Sequence, residues 1–141
     1  MILQNDYAEY VQYTSRGQWK KTKFHRYLCE AIQDFIENDT GHAYDILVLS
    51  VPPQHGKSTS VTETLPSWYL SKFPNRHCII ASYNENFAER FGRRNKDKIA
   101  QYGGAIFGSC LGTKASNTDF EMGNGAGGCV SRGMLSGITG N

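Results

Sequence analysis

The amino-acid sequence predicts an α/β fold in which helices flank a parallel β-sheet. Two runs, at 45–51 and 77–83, have apolar residues at consecutive positions, which is typical of central strands covered on both faces. Segments with helical spacing precede, separate and follow these runs, as expected for a parallel sheet. A chain of 141 residues is long enough to bury a core of this kind.

The first helices are predicted from apolar residues that recur every three or four positions. A short helix is expected near 6–13, and a longer one ends before the turn cluster at 38–41. The apolar stripe of the longer helix consists of Phe24, Tyr27, Leu28, Ala31, Ile32, Phe35 and Ile36. A third helical pattern covers 58–73, where Pro66 should bend or divide the helix because proline lacks an amide N–H.

The C-terminal part of the sequence differs in composition from the rest. Asn84 is expected to cap a helix over 85–101. Beyond this helix, residues 103–141 hold 11 of the 15 glycines, a composition typical of loops, turns and short strands or of a flexible linker. Strands are expected at 128–135 and from 138 onward.

Apolar runs, charge and cysteine content restrict the classes of protein to which this chain can belong. The sequence contains neither a membrane-spanning run nor a secretory signal, so we expect a cytoplasmic protein. The net charge of +2 is too small to indicate nucleic-acid binding. Basic clusters at 16–26 and 90–98 are either polyanion-binding surfaces or solvated helix faces. The four cysteines lack zinc-site spacing and are expected to be buried or idle thiols.

A phosphate-binding loop is predicted at 51–59, between the first apolar run and the next helix. Gly56, Lys57 and Ser58 end the consensus G-x-x-x-x-G-K-[ST], and Val51 replaces its first glycine. Amide groups at the start of a helix bind phosphate oxygens, and Gly56 allows their close approach. The candidate nucleotide-binding residues are Pro53, Gln54, His55, Gly56, Lys57, Ser58 and Thr59.

The expected ligands of this loop are ATP and Mg²⁺. Lys57 is suited to reach the β and γ phosphates, and Ser58 offers its hydroxyl to the metal ion. The sequence thus predicts a P-loop NTPase fold of the RecA type. The alternative is a strand-to-helix turn with a solvent-exposed lysine.

Several blocks of the sequence, in order, resemble the ATPase domain of the large terminase subunit of tailed bacteriophages. The central blocks are P-P-x-H-G-K-S at 52–58, P-x-W-Y-L at 66–70, A-S-Y at 81–83 and F-G-R at 91–93. Further blocks flank them, namely F-H-x-Y-L at 24–28, S-R-G at 131–133 and G-I-T-G at 137–140. The resemblance covers roughly residues 20–141.

This resemblance implies an ATP-driven motor that packages double-stranded viral DNA into a preformed shell in the cytoplasm of an infected bacterium. The implied partners are the DNA, the small terminase subunit, the portal protein and further copies of the chain in a ring on the portal. No membrane is implied. Residues 1–40 would be a helical segment, and 41–141 part of the P-loop ATPase domain.

The resemblance also implies individual residue roles. Phe24 and Tyr27 lie where the family contacts adenine, although their spacing equally fits packing in the core of their helix. Many members have arginine at the position of Gln54, so here either another arginine acts, or hydrolysis is slow, or the finger comes from a neighbouring subunit. Arg132 is the candidate for another arginine, with a structural surface role as the alternative. The acidic Walker B motif and a nuclease domain would follow Asn141, so these residues alone are expected to be an inactive N-terminal fragment.

Two other functions remain open. One is a different nucleic-acid-dependent P-loop motor, such as a helicase, which would continue into a second motor domain. The other is a non-catalytic protein that binds DNA or partner subunits through its basic faces.

Overall fold

The structure is a computed structural model that describes residues 2–16, 22–38, 40–50, 61–123 and 126–134. The chain divides into two compact units, Met1–Ser60 and Val61–Asn141.

In the first unit, the described residues up to 37 are mostly helical. Its helices are α1 (Ile2–Asn5), α2 (Tyr7–Thr14) and α3 (Lys23–Glu37). The side chains of Asp6 and Thr22 accept hydrogen bonds from the first turns of α2 and α3 and so cap these helices. The two helices predicted here are confirmed.

Helices α2 and α3 pack against each other through apolar side chains. The buried residues are Tyr7, Tyr10 and Val11 on α2 and Leu28, Cys29 and Ile32 on α3. Gln33 adds a polar link, since it accepts a hydrogen bond from the Tyr7 amide at 2.9 Å and donates one to the Asn5 carbonyl at 2.7 Å.

The predicted strand at 45–51 is wrong for the residues that the structure describes. Residues 44–50 form neither helix nor strand. Ile46 and Val48, which the prediction placed in a sheet core, are 74% and 81% exposed. An apolar run predicts burial but does not specify a partner strand, and no described strand pairs with these residues.

The second unit combines helices with an open mixed sheet. Its elements are α4 (Leu65–Lys72), β1 (His77–Ser82), α5 (Glu85–Lys98), a π-helical turn (Ile99–Gly103), α6 (Gly104–Phe107), β2 (Leu111–Ala115), β3 (Asp119–Met122) and β4 (Gly128–Gly133). The strand order is β1-β4-β3-β2. Strand β1 is parallel to β4, whereas β3 is antiparallel to both β4 and β2. The α/β class is therefore confirmed, and the prediction of a wholly parallel sheet is wrong.

The core of the second unit lies between the sheet and its helices. It consists of Leu70, Ile80, Ile99, Phe120, Met122 and Cys129. The predicted strand at 77–83 and the helix after Asn84 are confirmed, and the helix continues through the π-helical turn to residue 107. Of the pattern at 58–73, only 65–72 is α-helical among the described residues, and Pro66 occupies its first turn, where a missing N–H is tolerated.

Where the structure describes it, the glycine-rich region forms the end of the π-helical turn, helix α6 and the strands β2, β3 and β4. Its turns and close contacts explain part of the glycine content. Gly108 has a φ of 72° and ends α6, and a side chain at Gly127 would collide with the backbone around Arg76. The strand expected at 128–135 is observed as β4, and the one from 138 onward lies outside the described residues.

Candidate functional site

The central candidate, the phosphate-binding loop, lies outside the described residues. This applies to Pro53, Gln54, His55, Gly56, Lys57, Ser58 and Thr59, all within 51–60. The roles assigned to them in binding ATP and Mg²⁺ stay predictions. The described residues that continue the chain beyond this loop begin at Val61.

The two aromatic residues at the predicted adenine region both lie on α3. Tyr27 is 74% exposed, so its predicted alternative role in core packing is wrong. Phe24 is half-buried and makes an edge-to-face contact with the ring of His25, with centroids 5.5 Å apart. Thr22 Oγ1 lies 2.9 Å from His25 Nδ1, which places this imidazole at the start of α3. The contact with adenine stays a prediction.

The carboxyl ends of the parallel strands β1 and β4 meet at one edge of the sheet. Ser82 and Gly133 are register partners there, and ligands of open α/β sheets bind at such an edge. The Gly133 amide donates a 2.7 Å hydrogen bond to Glu85 Oε2 at the start of α5. A side chain at Gly133 would collide with the backbone of Asn84 and Glu85, so glycine is required where β4 meets α5.

The guanidinium of Arg132, the candidate arginine finger, makes hydrogen bonds to backbone carbonyls. Its Nη1 donates to the Thr118 carbonyl at 3.1 Å and to the Ser131 carbonyl at 2.9 Å. The first of these bonds joins β4 to the turn before β3, which fits the structural alternative. Arg132 is nevertheless exposed, and its role as an arginine finger stays a prediction.

The two acids in the C-terminal region lie in strand β3. Asp119 forms an ion pair with Lys114 at 3.1 Å, and Glu121 is exposed. Among the described residues, no group of three or more His, Cys, Asp or Glu side chains is arranged to hold a metal ion. The described cysteines are unbonded thiols, and burial raises the pKa of Cys78 to about 12 and that of Cys129 to about 11.

The basic cluster at 90–98 is divided between two environments. Arg90, Arg93 and Arg94 are exposed on α5, and the guanidinium of Arg90 lies 5.0 Å from the ring centroid of Phe87. A shallow cavity of about 330 Å³ runs along this side of the helix. Its lining consists of Asn86, Phe87, Glu89, Arg90 and Arg93.

The two lysines of this cluster instead donate hydrogen bonds to side chains of other segments. Lys96 Nζ donates to Asn117 Oδ1 at 2.8 Å and Lys98 Nζ to Thr64 Oγ1 at 2.6 Å. The other basic cluster, at 16–26, lies partly outside the described residues; within them, Arg26 is 3.8 Å from the Glu9 carboxylate.

Sequence reasoning missed a buried polar network that joins α5 to the start of α4. It includes Asn95, which is fully buried, and Lys98. One signal was present, because asparagine is disfavoured in helix interiors and its place in the middle of a predicted helix called for an explanation. The partners, at 62–67, are about thirty residues away in the chain, and no local pattern identifies them.

Helices in the described part of the chain are too short or too polar to cross a membrane. Comparison of the chain with protein-family models, with curated proteins and with solved structures found no match in any of the three.

Proposed function

We propose that this chain is the nucleotide-binding part of a DNA-packaging ATPase similar to the large terminase subunits of tailed bacteriophages. The observation that carries the proposal is the run P-P-x-H-G-K-S at 52–58, followed in order by the blocks at 66–70, 81–83 and 91–93. In this proposal the fold is that of a P-loop NTPase, and the ligands are ATP and Mg²⁺.

Features of the second unit support the proposal without being specific to it. The parallel pair of β1 and β4 has its carboxyl ends side by side, as in α/β proteins that bind nucleotides at this edge. The blocks at 81–83 and 131–133 lie at the adjacent ends of these strands. Two segments that the resemblance singles out are thus neighbours in the fold, although 50 residues separate Ala81 from Ser131.

The proposed partners are those of a packaging motor. They are double-stranded viral DNA, the small terminase subunit, the portal protein and further copies of the chain in a ring, all in the cytoplasm of the infected bacterium. The exposed arginines of α5 are the described residues best suited to contact DNA phosphates, since guanidinium groups bind phosphate oxygens in pairs.

The proposal is tested by measuring nucleotide binding to the wild type and to the Lys57→Ala variant. Isothermal titration with Mg-ATP should give measurable binding to the wild type. The Lys57→Ala variant should bind at least about tenfold more weakly, because the charge on the β and γ phosphates loses its counter-charge.

Lys114→Ala is the matched control, since it removes one exposed lysine in β2, outside the loop, the adenine region and both basic clusters. Equal affinity of the Lys57→Ala variant and the wild type would contradict the proposal, as would absence of binding to the wild type.

A further inference from the structure

The shallow cavity beside helix α5 is lined by one face of that helix. Its lining residues recur at steps of three or four positions, which is the spacing of neighbours on a helix surface. The buried residues of the helix, Ala88, Gly92 and Asn95, belong to the opposite face. We call the exposed face the α5 groove and define it by Asn86, Phe87, Glu89, Arg90 and Arg93.

Phe87 places an aromatic ring in this groove and is 43% exposed. The ring stacks on that of Phe91, with centroids 6.5 Å apart and planes 19° from parallel. Phe91 in turn packs against the hydrophobic core of the second unit. The exposed ring is therefore supported from below, so a ligand that stacks on it would cost little side-chain entropy.

Three guanidinium groups on this side of the helix form no ion pair with a described carboxylate. That of Arg90 lies 5.0 Å from the ring centroid of Phe87 and 5.6 Å from that of Phe91. Arg93 and Arg94 are exposed beside it. The ion pairs within the described ranges use other cations, namely Arg26, His42 and Lys114. The positive charge of the groove is thus free to attract an anion, and guanidinium planes also stack on bases.

The groove also contains the carboxylate of Glu89 and the side-chain amide of Asn86. A carboxylate repels phosphate but accepts hydrogen bonds from the amino groups of bases, as an amide oxygen does. A surface for phosphates alone gains nothing from an acid or from an exposed ring. A ring, cations and hydrogen-bonding groups around a concave space of about 330 Å³ fit a nucleobase together with its phosphates.

We propose that the α5 groove binds single-stranded nucleic acid, with an unpaired base stacked against Phe87 and the flanking phosphates on Arg90 and Arg93. The bases of a duplex are stacked on one another, so only an unpaired strand offers a base face to the ring. The arginines can contact phosphates of either form. The inference goes beyond the proposed function, because it uses described residues of the second unit alone and requires no nucleotide at 53–59.

Fluorescence anisotropy with end-labelled strands tests the inference on the full chain. The probes are a thymidine strand of about 12 nucleotides, an abasic strand of equal length and a duplex of equal length. The thymidine strand should bind about 5- to 100-fold more tightly than the abasic strand, the effect of one stacked base. A uridine strand is titrated beside it to distinguish DNA from RNA, and binding of either strand through Phe87 supports the inference.

Variants of the ring isolate the stacking contact. Phe87→Leu keeps an apolar side chain but removes the aromatic face, so it should bind the thymidine strand no more tightly than the abasic strand. Its affinity for the abasic strand and the duplex should stay within about twofold of that of the wild type. Phe87→Trp should keep the preference. Tyr44→Leu is the matched control, since it removes an aromatic residue that is 77% exposed and outside the groove.

Variants of the charged residues test the phosphate contacts. Arg93→Ala should weaken binding of the thymidine and the abasic strand alike, with a salt slope that is shallower by about 0.7. Glu89→Gln should tighten binding of both strands, because it removes a negative charge from the groove. Lys114→Ala is the control, since that cation is already paired with Asp119. Circular dichroism at the titration temperature confirms that each compared variant is folded.

Three results would overturn the inference. The first is that the wild type binds the thymidine and uridine strands no more tightly than the abasic strand, or binds no strand at all. The second is that the folded Phe87→Leu variant keeps the preference, and the third is that Tyr44→Leu loses it to the same extent. The titration with Mg-ATP is independent of these results. A wild type that binds strands through Phe87 but does not bind Mg-ATP supports this inference and contradicts the proposed function.

Discussion

At Gly92, helix α5 passes directly against the turn between β2 and β3. A β-carbon built at this position would collide with the carbonyl oxygen of Asn117 and would lie 2.7 Å from Ser131 Oγ. The helix backbone therefore lies so close to the sheet and its turn that only glycine fits at this position. This residue belongs to the F-G-R block, so here a motif of the resemblance has a packing reason that is independent of any function.

The Gly92→Ala substitution should destabilise the protein. Helix propensity alone would favour alanine, but the collision with backbone atoms of Asn117 requires the helix or the turn to move, at a cost of about 1–3 kcal/mol. Urea unfolding of the variant and the wild type measures this difference.

Gly104→Ala is the control for this substitution. Gly104 is also helical, but the nearest atom to its β-carbon would be the Ser109 carbonyl oxygen at 3.9 Å. Alanine there should be neutral or stabilise by up to about 1 kcal/mol. The explanation fails if Gly92→Ala is as stable as Gly104→Ala.

Helix α5 presents different surfaces to its different neighbours. One side packs against β1 and β4, and the polar side chains of Asn95, Lys96 and Lys98 bond to segments on either flank. The remaining side exposes arginines with an aromatic ring beside them. The sequence-based expectation of a basic face thus holds for the three arginines and not for the two lysines.

Replacing Arg93 and Arg94 together by alanine should weaken DNA binding in a salt-dependent way. For each phosphate contact that is lost, DNA binding releases about one counterion fewer. The slope of log affinity against log salt concentration should therefore become shallower by about 2. Fluorescence anisotropy with a labelled duplex at several salt concentrations measures this slope.

The double variant is compared with Lys114→Ala, which removes an exposed cation that is already paired with Asp119 at 3.1 Å. An unchanged salt slope in the double arginine variant would assign these residues to a solvated helix face. If the duplex binds and nucleotide does not, the non-catalytic DNA-binding alternative is favoured.

Among the described residues, the buried thiols and the buried ammonium of Lys98 change the stability in opposite directions as the pH rises. Cys78 and Cys129 have raised pKa values, so they favour the folded state below about pH 9 and lose this contribution as the unfolded thiols ionise. Lys98 has a lowered pKa of about 8, so between that pH and its ordinary value of 10.5 the unfolded state binds more protons. Its unfavourable contribution is therefore complete below pH 8 and is relieved as the pH rises.

A comparison of the wild type with Lys98→Met isolates the effect of the lysine, because the cysteines are common to both proteins. The free energy of unfolding of the wild type should rise relative to that of the variant by on the order of 1 kcal/mol between about pH 7 and 9. Urea unfolding at several pH values measures it, with Lys96→Met as the reference variant. A difference that is constant over this range would contradict burial of the ammonium beside Thr64.

The sequence by itself determined the elements with strong local signals. The amphipathic pattern of α3, the asparagine cap of α5 and the strand at 77–82 all follow from side-chain spacing and backbone chemistry within a few residues. The resemblance to terminase ATPases and the candidate loop also came from the sequence, and they stay predictions.

Only the tertiary structure decided which segments become partners. It placed β3 antiparallel between β4 and β2, left Ile46 and Val48 exposed, and joined Asn95 and Lys98 to the start of α4. The physical reason is that an apolar or polar residue specifies its preferred environment but not the distant segment that supplies it. That choice depends on packing and hydrogen bonding between residues far apart in the chain.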